Sequence, residues 1–287
     1  MRVGHVSELW RYPVKSMGGD RIRSTSVTDQ WGVPGDRGWA LRDEQAGEIR
    51  GAKRMTSLLQ FHARYLGEPA GDATPAVEIT FPDGSTMRSD DAAVHESLST
   101  ALGREVTLWP RMPVDDGEHY RRGRIDAAEM REQLGLGPDD PFPDFSALPK
   151  DVLTELASYS TPRGTYFDAL PLSLLTTSSM GSLATTVPDA AVDSRRFRKN
   201  IILDTGAVAS DQPERDWVGR RLRVGSAVCE VVMPISRCVM VTLPQADLPH
   251  DRTILRSLAT NFGMELGVYL RVVTPGTVSE GDPVHLL

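Results

Sequence analysis

The stretch Glu230-Val-Val-Met-Pro-Ile-Ser-Arg-Cys-Val-Met-Val-Thr242 reads as a strand, a sharp break at Pro234, a short turn and a second strand. Just upstream, Ala227, Cys229, Val231 and Met233 share one face of the first strand, which places Cys229 in a core. Cys238 falls at the mouth of the second strand, after Ser236 and Arg237. A guanidinium beside a thiol favours the thiolate, and a thiolate is both a nucleophile and a soft metal ligand. The other reading of Cys238 is an inert buried cysteine, since free cysteine is among the most buried residue types.

Working outward, the same texture recurs. Residues 221–224 and 227–233, joined by Gly225-Ser226, form a hairpin pattern, and residues 266–272 alternate as a further strand. In the first half, residues 3–10, 21–27, 39–41, 59–65, 77–81 and 105–109 read as short strands. Turns at 17–20, 32–37 and 82–84 separate several of them, a pattern of barrels and sandwiches. Helical spacing appears over 94–102, with Asp90 or Asp91 as cap and Gly103 as stop. It reappears over 125–134, 152–157 and 251–262, the last lined by Ile254, Leu255, Leu258, Ala259 and Phe262 and stopped by Gly263. Prolines at 110, 113, 138, 141, 143 and 149 mark a surface excursion that serves as linker or lid. Pro275-Gly276 and residues 280–282 read as turns before a closing strand.

The chain has 287 residues, 40% hydrophobic and 25% charged, enough for two modest globular domains. A net charge of −7 argues against general nucleic-acid binding. No apolar run reaches membrane-spanning length, and the first ten residues lack an apolar signal core, so a cytoplasmic protein is expected. Two cysteines are too few for a disulfide framework or a four-ligand iron–sulfur cluster. The histidines at 5, 62, 95, 119, 250 and 285 show no zinc-ligand spacing. Phosphate-loop, dinucleotide-glycine and nucleophile-elbow motifs are missing.

What remains is a set of cations at turns. Lys15-Ser16 follows Pro13, Arg37 follows Pro34-Gly35, and Arg198 and Asn200 sit at a helix-to-strand junction. Such residues suit phosphate, though each also reads as an ordinary solvated charge. Asp168 reads equally as a turn residue or a ligand contact.

In order, Tyr12-Pro-Val-Lys-Ser16, Gly35-Asp-Arg37, Arg196-Phe-Arg-Lys-Asn200, Ser236-Arg-Cys238, Pro275-Gly-Thr-Val278 and Gly281-Asp-Pro-Val284 resemble the MOSC family. These are proteins related to the C-terminal domain of molybdenum cofactor sulfurase, and the amidoxime-reducing branch is the nearest in pattern. The resemblance implies a mainly β fold with α (α+β). An N-terminal β-barrel-like domain over 1–120 would precede a MOSC β-barrel domain over 121–287 with peripheral helices. It implies a pyranopterin dithiolene molybdenum cofactor with Cys238 as metal ligand and catalytic residue. Lys15, Ser16, Arg37, Asp168, Arg198, Asn200, Ser236 and Arg237 would contact the cofactor. Two departures stand out: Leu243-Pro244-Gln245 where relatives often carry Asp-Pro, and Ala169-Leu170 where they tend to carry small hydroxyl residues.

The implied activity is reduction of a small N-hydroxylated or N-oxide substrate, with electrons from a separate electron-transfer protein. Neither nucleic acid nor membrane is expected as a partner. A sulfur carrier using a Cys238 persulfide, or a non-enzymatic cofactor carrier, are the alternatives.

Overall fold

The computed structural model describes residues 1–123, 126–140, 142, 146, 148–206 and 211–287. In chain order the strands of the first half are β1 (Arg2–Arg11), β2 (Asp20–Ile22), β3 (Ser24–Val27), β4 (Trp39–Asp43), β5 (Glu48–Arg50), β6 (His62–Tyr65), β7 (Val77–Thr80), β8 (Thr86–Arg88) and β9 (Val106–Pro110). The second half supplies β10 (Leu172–Thr176), β11 (Ile201–Asp204), β12 (Arg221–Val224), β13 (Ala227–Ser236), β14 (Glu265–Thr274), β15 (Gly276–Ser279) and β16 (Pro283–Leu286). The helices are α1 (Val94–Leu102), α2 (Gly117–Tyr120), α3 (Ala127–Leu134), α4 (Lys150–Ser158), α5 (Thr177–Thr186), α6 (Ser194–Phe197) and α7 (Arg252–Asn261).

Seven strands close a barrel in the order β1-β11-β10-β14-β13-β12-β16, with β16 returning to β1 and β2 extending from β1. Closure leaves no open edge around the ring. The inward faces of these strands bury Val6, Leu9, Leu174, Leu203, Leu222, Cys229, Val231 and Leu270 together. β1 is thus a barrel strand although it opens the chain, pairing antiparallel with both β11 and β16. Two three-stranded sheets, β5-β4-β9 and β6-β7-β8, pack with α1 around Leu41, Phe61, Ile79, Leu98 and Leu108. A third cluster joins α5 and α7 to the barrel's outer side through Leu183, Ile254, Leu258 and Leu266.

The mainly β reading with helices at the periphery holds. Several local expectations do not. The chain does not break at Pro234: β13 runs on to Ser236, and its register against β14 shifts between Pro234 and Ser236. Such an irregularity accommodates a proline, which has no N–H for the ladder. No second strand follows. Cys238 caps a 3-10 turn, Val239–Thr242, closed by the Val241 N–H on the Cys238 carbonyl. That turn packs against α7 and buries Val241, so tertiary contact overrides the β propensity of its valines.

Residues 21–27 split into β2 and β3, and 59–65 is a 3-10 turn, Thr56–Gln60, followed by β6. The α1 cap position is Ala93, whose N–H donates to the Asp91 carboxylate at 2.9 Å. Gly276 opens β15 rather than closing a turn. Of the helix expected over 125–134, α3 starts at Ala127, and Ile125 lies outside the described residues, as do Pro141 and Pro143. The described part of the proline-rich excursion is not all surface. Tyr120 is fully buried beside Ala40, Ile49 and Tyr166.

Candidate functional site

A cleft of about 510 Å³ opens where the end of β13, the 194–200 segment, the Lys15 turn and the α3–α4 region meet. Every site residue expected from the sequence lines it: Lys15, Ser16, Arg37, Asp168, Arg198, Asn200, Ser236, Arg237 and Cys238. Residues from five separate segments therefore converge. An apolar wall is supplied by Met130, Leu134, Leu148, Leu153, Leu156 and Met240.

The backbone is unusual here. Ser16, Arg37 and Arg198 have φ of 69°, 51° and 54°, in the left-handed region. Among the described residues only Ala246 and Met264 are other non-glycine examples. Each such residue costs on the order of 1 kcal/mol and persists where the surroundings dictate it, commonly at functional sites. Here the surroundings are explicit. Ser16 Oγ accepts the Ala52 N–H at 2.9 Å, and the Arg37 N–H donates to the Tyr12 carbonyl at 2.7 Å. Arg198 caps α6 at its C-terminus.

Arg37 and Arg198 flank the buried Tyr12 ring, their guanidinium carbons 5.3 and 4.3 Å from its centre. Arg37 pairs with the fully buried Asp36 carboxylate, whose other oxygen accepts the Tyr12 N–H at 2.8 Å, and reaches the Arg198 carbonyl at 3.2 Å. Arg198 donates Nη1 to the Met17 carbonyl at 2.5 Å, while its Nη2 is buried without a partner. Burial, with Arg37 close by, lowers the Arg198 pKa to about 10.

Lys15 donates to Asp168 Oδ1 at 2.5 Å and to the Tyr166 carbonyl at 3.0 Å. Its side chain is 12% exposed, while that of Asp168 is 64% exposed on the cleft side. Burial depresses the Lys15 amine, with Arg37 and Lys53 adding to the effect against Asp168. For Asp168, desolvation opposes ionisation, but Lys15 and Arg37 outweigh it and hold the carboxyl well below the usual range.

Arg237, at the end of β13, anchors its N–H on the Met264 carbonyl and donates Nη2 to the Phe197 carbonyl at 3.1 Å. Its Nε is buried and unpartnered. Cys238 follows, part-exposed and free. Cys229 is the opposite case: burial in the barrel pushes its thiol up to about 12, so it is inert. Asn200 is committed to the fold. Its Oδ1 accepts from the Ser173 N–H and hydroxyl at 3.1 and 3.0 Å, and its amide reaches the Trp10 carbonyl at 3.4 Å. It ties β10 to β1 beneath the cleft.

Sequence reading passed over Lys199, Tyr12, Asp36 and Tyr269. Lys199 stood between two named residues, and its position in a basic run gave no sign that it turns inward. Among the described residues no group of three or more His, Cys, Asp and Glu side chains is placed to hold a metal ion. No helix among the described residues is long and apolar enough to cross a membrane.

With this geometry in place, comparison with known proteins defines the class. The MOSC N-terminal beta barrel domain matches residues 3–110 and the MOSC domain matches residues 162–285. The chain belongs to the MOSC family. It is 22% identical over 317 residues to human mitochondrial amidoxime-reducing component 1, covering all of this chain and 84% of that protein. It is 26% identical over 289 residues to molybdenum cofactor sulfurase of Drosophila grimshawi. There it covers 98% of this chain but spans only 34% of the sulfurase. Rat mitochondrial amidoxime reducing component 2 is 24% identical over 305 residues, covering 99% of this chain and 83% of that protein. Among solved structures, YuaD from Bacillus subtilis aligns over 98% of this chain and 93% of its own, at 9% identity and a TM-score of 0.41. The MOSC domain and the sulfurase relative associate the family with the molybdenum cofactor.

Proposed function

We propose that this chain holds a pyranopterin dithiolene molybdenum cofactor and reduces N-hydroxylated or N-oxide compounds, such as amidoximes, hydroxylamines and N-hydroxylated bases. Electrons would come from a separate redox protein, and the cytoplasm is the proposed compartment. One observation carries the reading: a lone accessible thiol shares a cleft with buried cations, two of which keep orphaned donors, Arg198 Nη2 and Arg237 Nε. Buried donors without partners are costly, so an anionic group fits this cleft.

In this reading Cys238 ligates the metal, and Lys15, Arg37, Arg198 and Arg237 hold the pterin and its phosphate. Ser16, Asp168, Asn200 and Ser236 complete the cleft lining. Asn200 acts through the backbone, fixing the turn that aims Arg198. Asp168 orients Lys15 and offsets part of the cationic charge. The bound group supplies two-electron chemistry with oxygen transfer; the protein supplies orientation and electrostatics. The apolar wall excludes water and seats the carbon body of a substrate.

Likeness to a molybdenum cofactor sulfurase supports a second reading, in which Cys238 carries a persulfide, with cofactor carriage without turnover as its variant. Metal analysis of the purified protein, with pterin fluorescence after oxidation, separates these. Stoichiometric molybdenum and pterin support the reductase. Absence of both, with labile sulfur on Cys238, moves the assignment to the carrier.

A further inference from the structure

Arg198 and Lys199 are consecutive and both line the cleft, yet they carry their charges to different neighbours. Arg198 goes to Tyr12 and the Met17 carbonyl. Lys199 runs across β14 to the Tyr269 ring, with Nζ 5.7 Å from its centre. Room for that stem is built into β14. Gly267 has φ of 78°, and a Cβ there would stand 2.7 Å from the Leu174 carbonyl oxygen and 3.5 Å from Lys199 Cε. A side chain at 267 is excluded by both backbone and space.

Arg237 approaches the same end, its guanidinium over Phe197, next in sequence to Cys238. The two cations differ from Lys15 and Arg37. Lys15 has Asp168 and Arg37 has Asp36. Lys199 is 5% exposed, and among the described residues its ammonium makes no hydrogen bond. Arg237 is 8% exposed, with one carbonyl partner and an orphaned Nε. Neither has a carboxylate partner among the described residues. Two buried cations without a counter-ion are strongly unfavourable unless an anion joins them.

We propose that Lys199 and Arg237 form an anion seat beside Cys238, separate from the Arg37–Arg198 pair, that takes an anionic oxygen of a bound ligand. Burial, reinforced by Arg237 and Arg37, pushes the Lys199 amine well below its ordinary value. The seat lies at the thiol end, so its occupant is the ligand group nearest the chemistry. That oxygen can come from a cofactor or from a carboxylate, phosphate or sulfonate on the substrate. The seat is defined by the protein's own side chains, so it stands or falls independently of whether the cofactor contains molybdenum.

The test uses the full cofactor-free chain and inorganic phosphate, by equilibrium dialysis at fixed ionic strength. Wild type should show separable phosphate sites. Lys199→Met should weaken one of them about ten- to a hundred-fold, the loss expected for a charge-assisted bond. Lys199→Arg should restore it, and Arg198→Met should weaken the other instead. Identical isotherms for wild type, Lys199→Met and Lys199→Arg would overturn the proposal. Should Lys199→Met fold poorly, the wild type alone still decides: phosphate should protect Lys199 from amine acylation read by mass spectrometry, and unchanged labelling would overturn the seat.

Loaded protein then distinguishes the sources. Loss of molybdenum retention in Lys199→Met assigns the seat to the cofactor. A raised KM confined to carboxylate-bearing N-hydroxy substrates assigns it to the substrate. Unchanged molybdenum retention together with unchanged KM values would contradict a role for the seat.

Discussion

Arg37 and Arg198 flank one tyrosine ring, yet their removal should have different consequences. Arg198→Met deletes one donor, Nη1 to the Met17 carbonyl, and removes a buried charge disfavoured by burial and by Arg37. The lost hydrogen bond costs about 1.5–3 kcal/mol at most, and relief of the desolvation penalty offsets it. The cofactor-free variant should therefore melt within about 1 kcal/mol of wild type. Its orphaned Nη2 is gone, however, so retention of an anionic cofactor should fall about ten- to a hundred-fold. Arg37→Ala removes the partner of Asp36, whose side chain is fully buried. Leaving that carboxylate unpaired should destabilise the fold by about 3–5 kcal/mol whether or not cofactor is present. Thermal or urea denaturation of cofactor-free proteins, with molybdenum content after dialysis of loaded ones, reads both quantities. Full molybdenum retention in Arg198→Met would refute the argument that its free donor faces the ligand. Equal stability loss in both variants would refute the assigned difference between them.

Cys238→Ser should abolish turnover with little change in melting temperature, because a hydroxyl is a poor soft-metal ligand and Cys238 lies outside the barrel core. Cys229→Ser should keep activity while losing stability, since it places a hydroxyl among Val231, Leu222 and Leu270; intact turnover in the first or lost turnover in the second would contradict the assignment. Glu214, almost fully buried, accepts from the Thr176 and Ser179 hydroxyls, and among the described residues no cation pairs with it. Burial raises its pKa, so its contribution to stability is complete below the ordinary glutamate value and is lost as pH rises through the folded value. Glu214→Gln should therefore raise the melting temperature near pH 8 and give no gain at about pH 4; the reverse order would contradict the sign. With an artificial donor such as reduced viologen the purified protein should reduce an amidoxime, whereas NADPH alone should not drive it; homogeneous protein turning over with NADPH would exclude a separate donor.

The barrel was legible because its strands alternate. Cys229 followed from the period-two pattern of Ala227, Val231 and Met233, and the barrel core holds it. The same rule failed at Val239 and Val241, where β-branched residues suggested a strand. There the contacts of the 3-10 turn with α7 decide the backbone, and those are invisible locally. That Lys15, Arg37, Arg198 and Cys238 line one cleft was visible only as ordered motifs, since no periodicity joins segments scattered between positions 15 and 238. Lys199 was hidden by its neighbours. Its inward turn depends on Arg198 adopting a left-handed conformation and on Gly267 leaving space across the sheet, neither of which a basic run signals. Asn200 lines the cleft as its residue type suggested, and its side chain also ties Ser173 to the Trp10 carbonyl, contacts that no local pattern signals.

X-ray absorption at the molybdenum edge tests the central claim most directly. Wild-type protein should show about three sulfur ligands at the metal, the dithiolene pair and Cys238, and the Cys238→Ser variant should lose one of them. A sulfur count unchanged by that substitution would contradict the account.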